Sequence, residues 1–129
     1  MTRGLLDTSV FIAREQRRPL GELPEEAAIS VVTLGELELG VLGAGDDLRA
    51  RRADTLALAR AADPIPISEA TMGAFARLVD DCRQANRRPK ILDALIAATA
   101  VEHGLPVFTQ DSDFDGIAEA HPALIIRMV

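Results

Sequence analysis

The chain has 129 residues, 48% of them hydrophobic, and a formal net charge of −6. That length suits one compact domain whose core needs no disulfide or metal staple, and a single cysteine, Cys82, excludes an intramolecular disulfide and fits a reducing cytoplasm. The negative balance excludes a protein that coats nucleic acid by bulk charge, and with no Trp, no Tyr and only four Phe there is little aromatic surface on which bases could stack.

The predicted elements follow in chain order. "RGLL" at residues 3 to 6 is a short apolar run that meets "DTS", the pattern of a strand ending at helix-capping residues. "VFIAREQR" is then a short helix. The Pro and Gly punctuation of "RPLGELPEE" leads to a second strand, "AAIS", and a helix, "VVTLGELELGVLGAG", stopped by glycines. "DLRARRADTLALARAAD" has helical spacing at Leu48, Leu56, Leu58 and Ala59, with an arginine-rich outer side at 49 to 52. Pro64 ends it, "IPI" is a small strand, and "SEATMGAFARLVDDCRQAN" is a helix capped by Ser68. Pro89 is expected in the first turn of the next helix, from about Lys90 to His103, which Gly104 stops. The tail reads as a strand "LPVFT", a loop and short helix "DSDFDGIAEA", and a last strand "LIIRMV". "ILDALIAATAV" is interrupted by Asp93 and is too short to span a bilayer, and "MTRGLLDTSVFIARE" lacks the features of a signal peptide. A soluble, cytoplasmic protein with no membrane association is expected.

Strands that are continuous apolar runs and alternate with helices predict a three-layer α/β/α sandwich around a mainly parallel sheet, in one domain over residues 1 to 129. In such sheets ligands gather at the carboxyl ends of the strands. Asp7 follows the first strand there, and Asp111 and Asp113 follow "LPVFT". Alone, Asp7 also reads as a helix cap, and Asp111, Asp113 and Asp115 as a solvated turn. Asp93 is harder to explain away, because its helix is apolar on nearly every side and an ionised carboxylate buried without a partner is very costly. A nearby arginine or a cation would satisfy it. Apolar residues surround the circumference of the helix bearing Glu36 and Glu38, so periodicity does not choose between them; Gly40 and Gly43 on the side of Glu36 would permit close approach there. Carboxylates from separate elements without a histidine or cysteine cluster suit Mg²⁺ or Mn²⁺ and suit zinc poorly. His103 and His121 are isolated, and there is no glycine-rich phosphate loop.

"LLDTSVFI", "ISVVTLGELELG", "ILDALIAATA" and "LPVFTQDSDFDGI" resemble, in order and spacing, the four acidic motifs of PIN-domain nucleases across essentially the whole chain. Length and "VTLGELELG" most resemble VapC toxins, the ribonuclease partners of VapB antitoxins. The resemblance implies metal and catalytic roles for Asp7, Glu36, Asp93 and the fourth-motif acids. It selects Glu36 over Glu38. In the fourth motif Asp113, directly before Phe114, is preferred over Asp111, and both are kept. Thr8, Ser9 and Thr109 match polar positions that orient carboxylates or metal-bound water. The resemblance further implies cleavage of RNA to a 5′-phosphate and a 3′-hydroxyl, a homodimer, and a toxin–antitoxin hetero-oligomer in which a VapB-like antitoxin covers the site. Like charges gathered without metal should raise at least one carboxylate pKa. Arg83, Arg87, Arg88 and Lys90, leading into the helix of Asp93, are the expected RNA contacts. Two other classes share an aspartate cluster at strand ends. A receiver-type phosphoacceptor domain would carry a second acid at the first strand end and a lysine after the last core strand, whereas a non-catalytic interaction protein would use the acids only in ion pairs.

Overall fold

The computed structural model describes residues 2–129; residue 1, the first of the expected domain, lies outside them. The elements run β1 (Arg3–Leu6), α1 (Thr8–Glu15), β2 (Glu26–Ser30), α2 (Val31–Leu42), α3 (Asp46–Arg60), β3 (Pro64–Ile65), α4 (Glu69–Gln84), α5 (Ile91–His103), β4 (Val107–Thr109), α6 (Asp113–Ala120) and β5 (Ile126–Met128). The five strands form one sheet in the order β3-β2-β1-β4-β5, and every pairing is parallel.

Strand side chains alternate between the faces, and that alternation builds the two outer layers. Leu5, Ala28, Ile65 and Val107 point to one face, where they join Leu78 and Cys82 of α4, Ala94, Ile96, Ala97 and Ala100 of α5, and Phe114 and Ile117 of α6. The next residues along, Leu6, Ile29 and Phe108, point to the other face and meet Val10 and Phe11 of α1, Leu37 of α2, and Leu56 and Ala59 of α3. The result is the expected three-layer sandwich, with a sheet apolar on both sides because helices cover both. Close packing between β1 and β4 uses a glycine. A Cβ on Gly4 would lie 2.3 Å from Cε1 of Phe108, so only a residue without a side chain lets that ring lie flat against β1.

The helix ends follow from local chemistry. Ser68 accepts from the amide of Thr71 while the Thr71 hydroxyl accepts from the amide of Ser68, a reciprocal capping box at the start of α4. At the other end of α4, Asn86 takes φ 57°, and the amides of Asn86 and Arg87 donate to the carbonyls of Arg83 and Cys82 at 3.0 and 2.7 Å. This Schellman closure turns the chain sharply into Arg87 and Arg88. Gly104, at φ 65°, closes α5 in the same way, with the amide of Leu105 on the carbonyl of Ala100.

Two expectations are corrected here. Pro89 lies just outside α5, because Lys90 has ψ 138° and is the N-cap rather than a helical residue. Of the spaced apolar residues in α3, Leu56 and Ala59 are buried, whereas Leu48 and Leu58 are exposed, since one face of the helix meets the core. Among the described residues no helix is long and apolar enough to cross a membrane.

Candidate functional site

The strand order fixes where a site can form. From β1 the sheet grows one way through β2 and β3 and the other way through β4 and β5, so β1 and β4 flank the switch point, where a crevice opens beyond the strand ends. Asp7 is the residue after β1, and Gln110 and Asp111 are the residues after β4.

Asp7 is nearly buried and is also the N-cap of α1, so the helix-cap reading and the site reading apply to one side chain. Its Oδ2 accepts from the Ser9 hydroxyl at 2.7 Å, from the Thr109 hydroxyl at 2.9 Å and from the Ser9 amide at 3.3 Å. The two hydroxyls in turn accept from the amides of Gln110 and Asp111, each at 2.9 Å. Each hydroxyl has a single proton, which these partners direct onto Asp7. Oδ1 has no protein donor among the described residues, which leaves it available to a ligand.

Glu36 faces inward, half-buried, while Glu38 is exposed. The choice is made by a contact between helices: Thr8 donates to Oε1 of Glu36 at 2.7 Å, and Thr33, fully buried one turn before Glu36, lies 3.1 Å from Thr8. The Thr8 hydroxyl donates to both, closer to Glu36 than to Thr33, so its one proton is shared between them with Glu36 the nearer acceptor. Burial raises the Glu36 carboxyl above its ordinary pKa, the Thr8 hydrogen bond opposes this, and the charge of Asp7 adds to it. The glycines play no part in the choice, because a Cβ on Gly40 would meet nothing within 4 Å.

Asp93 lies in the first turn of α5. That turn is more open than an apolar helix suggests, with Ile91 59% and Leu92 48% exposed, and Asp93 is half-buried without an arginine pair among the described residues. Its carboxyl is pushed up to about 6 from 3.8, first by burial and then by the charges of Asp7, Asp111 and Glu36, against which Lys90 acts weakly. The four acidic motifs therefore share one field. The tightest group is Asp93, Asp111 and Asp113, each of which offers a carboxylate oxygen within 4.8 Å of the others. Asp7 and Glu36 stand outside that group. The amide of Asp113 donates to Oδ1 of Asp111 at 2.8 Å, and Oδ2 of Asp113 pairs with Lys90 at 3.1 Å.

Beside the acids runs a cleft of about 320 Å³ lined by Arg87, Arg88, Lys90, Asp93 and Asp113. A second cleft, of about 510 Å³, adds Arg83, Asn86 and Ile91 and shares Arg87, Arg88 and Pro89 with the first. Arg87 is paired with Glu119 and Lys90 with Asp113, whereas Arg83 and Arg88 form no ion pair among the described residues. Of the arginines of 49 to 52, Arg52 donates to the carbonyl of Gly40 in α2 at 2.8 Å and Arg49 to that of Ala44, in the turn after α2, at 3.1 Å. Sequence reasoning missed Thr33 and Gln110. A polar residue three positions before Glu36 was the available signal for Thr33. Gln110 had none, since its side-chain amide bonds to the distant carbonyls of Pro19 and Val129.

Fold and site together define an α/β domain with a cluster of carboxylates beside a basic cleft at its switch point. The PIN domain family model matches residues 4–120. Ribonuclease VapC8 of Mycobacterium tuberculosis is 65% identical over 100 residues, covering 75% of this chain and 89% of that protein. Ribonuclease VapC5 of the same organism is 43% identical over 128 residues, covering 97% and 95%. A crystal structure of a member of the VapBC family of toxin–antitoxin systems, VapBC-5 from M. tuberculosis, superposes with a TM-score of 0.85 at 39% identity, covering 100% of this chain and 98% of that one. The chain belongs to the PIN-domain family and, within it, to the VapC proteins.

Proposed function

We propose that the protein is a metal-dependent endoribonuclease, the toxin of a type II pair held inactive by a VapB-like antitoxin. The observation that carries this reading is the convergence of Asp93, Asp111 and Asp113 within 4.8 Å at the switch point, in the field of Asp7 and Glu36. The family membership supports it, since the relatives are named ribonucleases and the VapBC-5 structure is of a toxin–antitoxin system. The donor set fits Mg²⁺ or Mn²⁺: all are carboxylate oxygens, no histidine or cysteine joins them, and Oδ1 of Asp7 is unused. Asp7, Asp93 and the fourth-motif acids would hold the ion, with Glu36 assisting. Asp113 is the expected acid of the fourth motif and is engaged by Lys90, while the charge of Asp111 reaches Asp93, so both are kept as ligands. A bound divalent ion supplies the positive charge that acidifies a water and offsets charge building on the phosphate.

The chain's own residues do the rest. Ser9 and Thr109 lock the rotamer of Asp7, and Thr8, packed against the buried Thr33, locks that of Glu36, so the oxygens are fixed before substrate arrives. Asp93, with its pKa near 6 without metal, is ionised at neutral pH and is released from repulsion when a cation binds. Arg83 and Arg88, with Arg87 and Lys90 beside them, contact backbone phosphates along the joined clefts and guide a single strand toward the acids. Hydrolysis leaves a 5′-phosphate and a 3′-hydroxyl. The whole chain acts as one domain in the cytoplasm, as a homodimer that assembles with its antitoxin. The test is incubation of the purified protein with total cellular RNA in Mn²⁺ and in EDTA, followed by mapping of new 5′ ends. Discrete 5′-phosphate ends only with metal are expected; RNA left intact under both conditions would refute the reading.

A further inference from the structure

Lys90 is the only lysine in the chain, and helix physics does not explain its position. It is the N-cap of α5, where serine, threonine, asparagine and aspartate are preferred because their oxygens accept from the first amides. Lys90 makes no such bond. A cation there also opposes the positive end of the helix dipole. Its side chain is largely exposed, and the one carboxylate its ammonium reaches belongs to the acid cluster. Nζ lies 3.1 Å from Oδ2 of Asp113, and Lys90 lines the same cleft as Asp93 and Asp113. The hydrogen bond to Asp113 first, and then the charges of Asp113, Asp93 and Asp111, raise the pKa of Lys90 above the usual lysine value.

We infer that Lys90 is a built-in counter-cation of the acid cluster, a positioning residue that neutralises Asp113 and competes with a divalent ion for the field of Asp93, Asp111 and Asp113. This inference rests on the metal-site reading proposed above. While the site is empty of metal, Lys90 relieves repulsion among carboxylates that would otherwise face one another unscreened. When a divalent ion enters, two like-signed cations share one small group of oxygens. Repulsion between them weakens ion binding, and Lys90 swings away from Asp113 toward the cleft, where its charge becomes available to a phosphate. A lysine on a flexible stem suits this role, since it can leave one partner for another without moving the backbone.

The test measures Mn²⁺ affinity by calorimetry for the wild-type chain, Lys90→Met and Lys90→Arg at fixed ionic strength. Lys90→Met is expected to bind Mn²⁺ roughly three- to tenfold more tightly, the size set by removing one unit charge at close range in water, and Lys90→Arg to stay near wild type. A second readout uses the uniqueness of the residue. Reductive ¹³C-methylation labels Lys90 and the terminal amine alone, and the Lys90 resonance should shift as Mg²⁺ is added, with the midpoint found for Mg²⁺ by calorimetry on the same labelled protein. Unchanged or weaker Mn²⁺ binding by Lys90→Met, or a Lys90 resonance that ignores Mg²⁺, overturns the inference while leaving the metal site standing. Failure of the wild-type chain to bind Mn²⁺ overturns the metal reading and this inference with it.

Discussion

Replacing Asp93 with asparagine should stabilise the metal-free protein, an unusual outcome for a change at a half-buried polar position. The carboxyl is pushed from 3.8 up to about 6 by burial and by neighbouring acids, so at neutral pH the folded state carries a charge that the unfolded chain bears more easily. At about 1.4 kcal/mol per pH unit the penalty would approach about 3 kcal/mol. Asp93 is only half-buried, and solvent screening reduces this to about 1–2 kcal/mol. The sign follows from proton binding. Between pH 3.8 and about 6 the native state holds more proton than the unfolded state, so this group's contribution falls as pH rises through that window and is least favourable above it. Asparagine is nearly isosteric and uncharged. In scanning calorimetry with EDTA at pH 7.5, Asp93→Asn should melt about 4–8 °C above wild type, and the gain should shrink to a small fraction near pH 4. Added Mn²⁺ should raise the melting temperature of wild type more than that of the variant. A variant that melts at or below wild type in EDTA at pH 7.5 would refute the picture of crowded carboxylates.

Gly4→Ala places a methyl 2.3 Å from Cε1 and 2.5 Å from Cδ1 of Phe108, and the ring must shift in a packed layer; a loss of about 1–3 kcal/mol by urea denaturation is expected. Arg83→Gln with Arg88→Gln should weaken RNA binding and lower the slope of log affinity against log salt by roughly 1.4, at about 0.7 per lost phosphate contact on a single strand. An unchanged slope would remove both arginines from the substrate path.

Much of the fold was legible because its signals are local. Apolar runs gave the strands, Ser68 and Gly104 marked helix ends, and strand–helix alternation gave the layers. The site was legible only in part, for an equally physical reason. α2 carries apolar residues all round, yet Leu39 is 70% and Leu42 72% exposed, so composition does not reveal its inward face; the Thr8–Glu36 contact between helices does. The resemblance supplied Glu36 where spacing was silent. An apolar helix predicts an enclosed Asp93, but the enclosure begins only at Ala94, and the first turn opens onto the cleft. For Asp111 and Asp113, two positions apart on one turn, only their different partners separate them: Asp111 faces the field of Asp93, and Asp113 faces Lys90.

The central claim is that charge on Asp7, rather than its shape, makes the site work. Asp7→Asn isolates that charge, because asparagine caps a helix as well as aspartate and its oxygen can still accept from Ser9 and Thr109. The decisive measurement is the initial rate of RNA cleavage across a Mn²⁺ titration for wild type and Asp7→Asn, with folding checked by circular dichroism. A loss of about a hundredfold or more at every Mn²⁺ concentration, in a variant that stays folded, is predicted. A folded Asp7→Asn protein that cleaves within a few-fold of wild type would contradict the account.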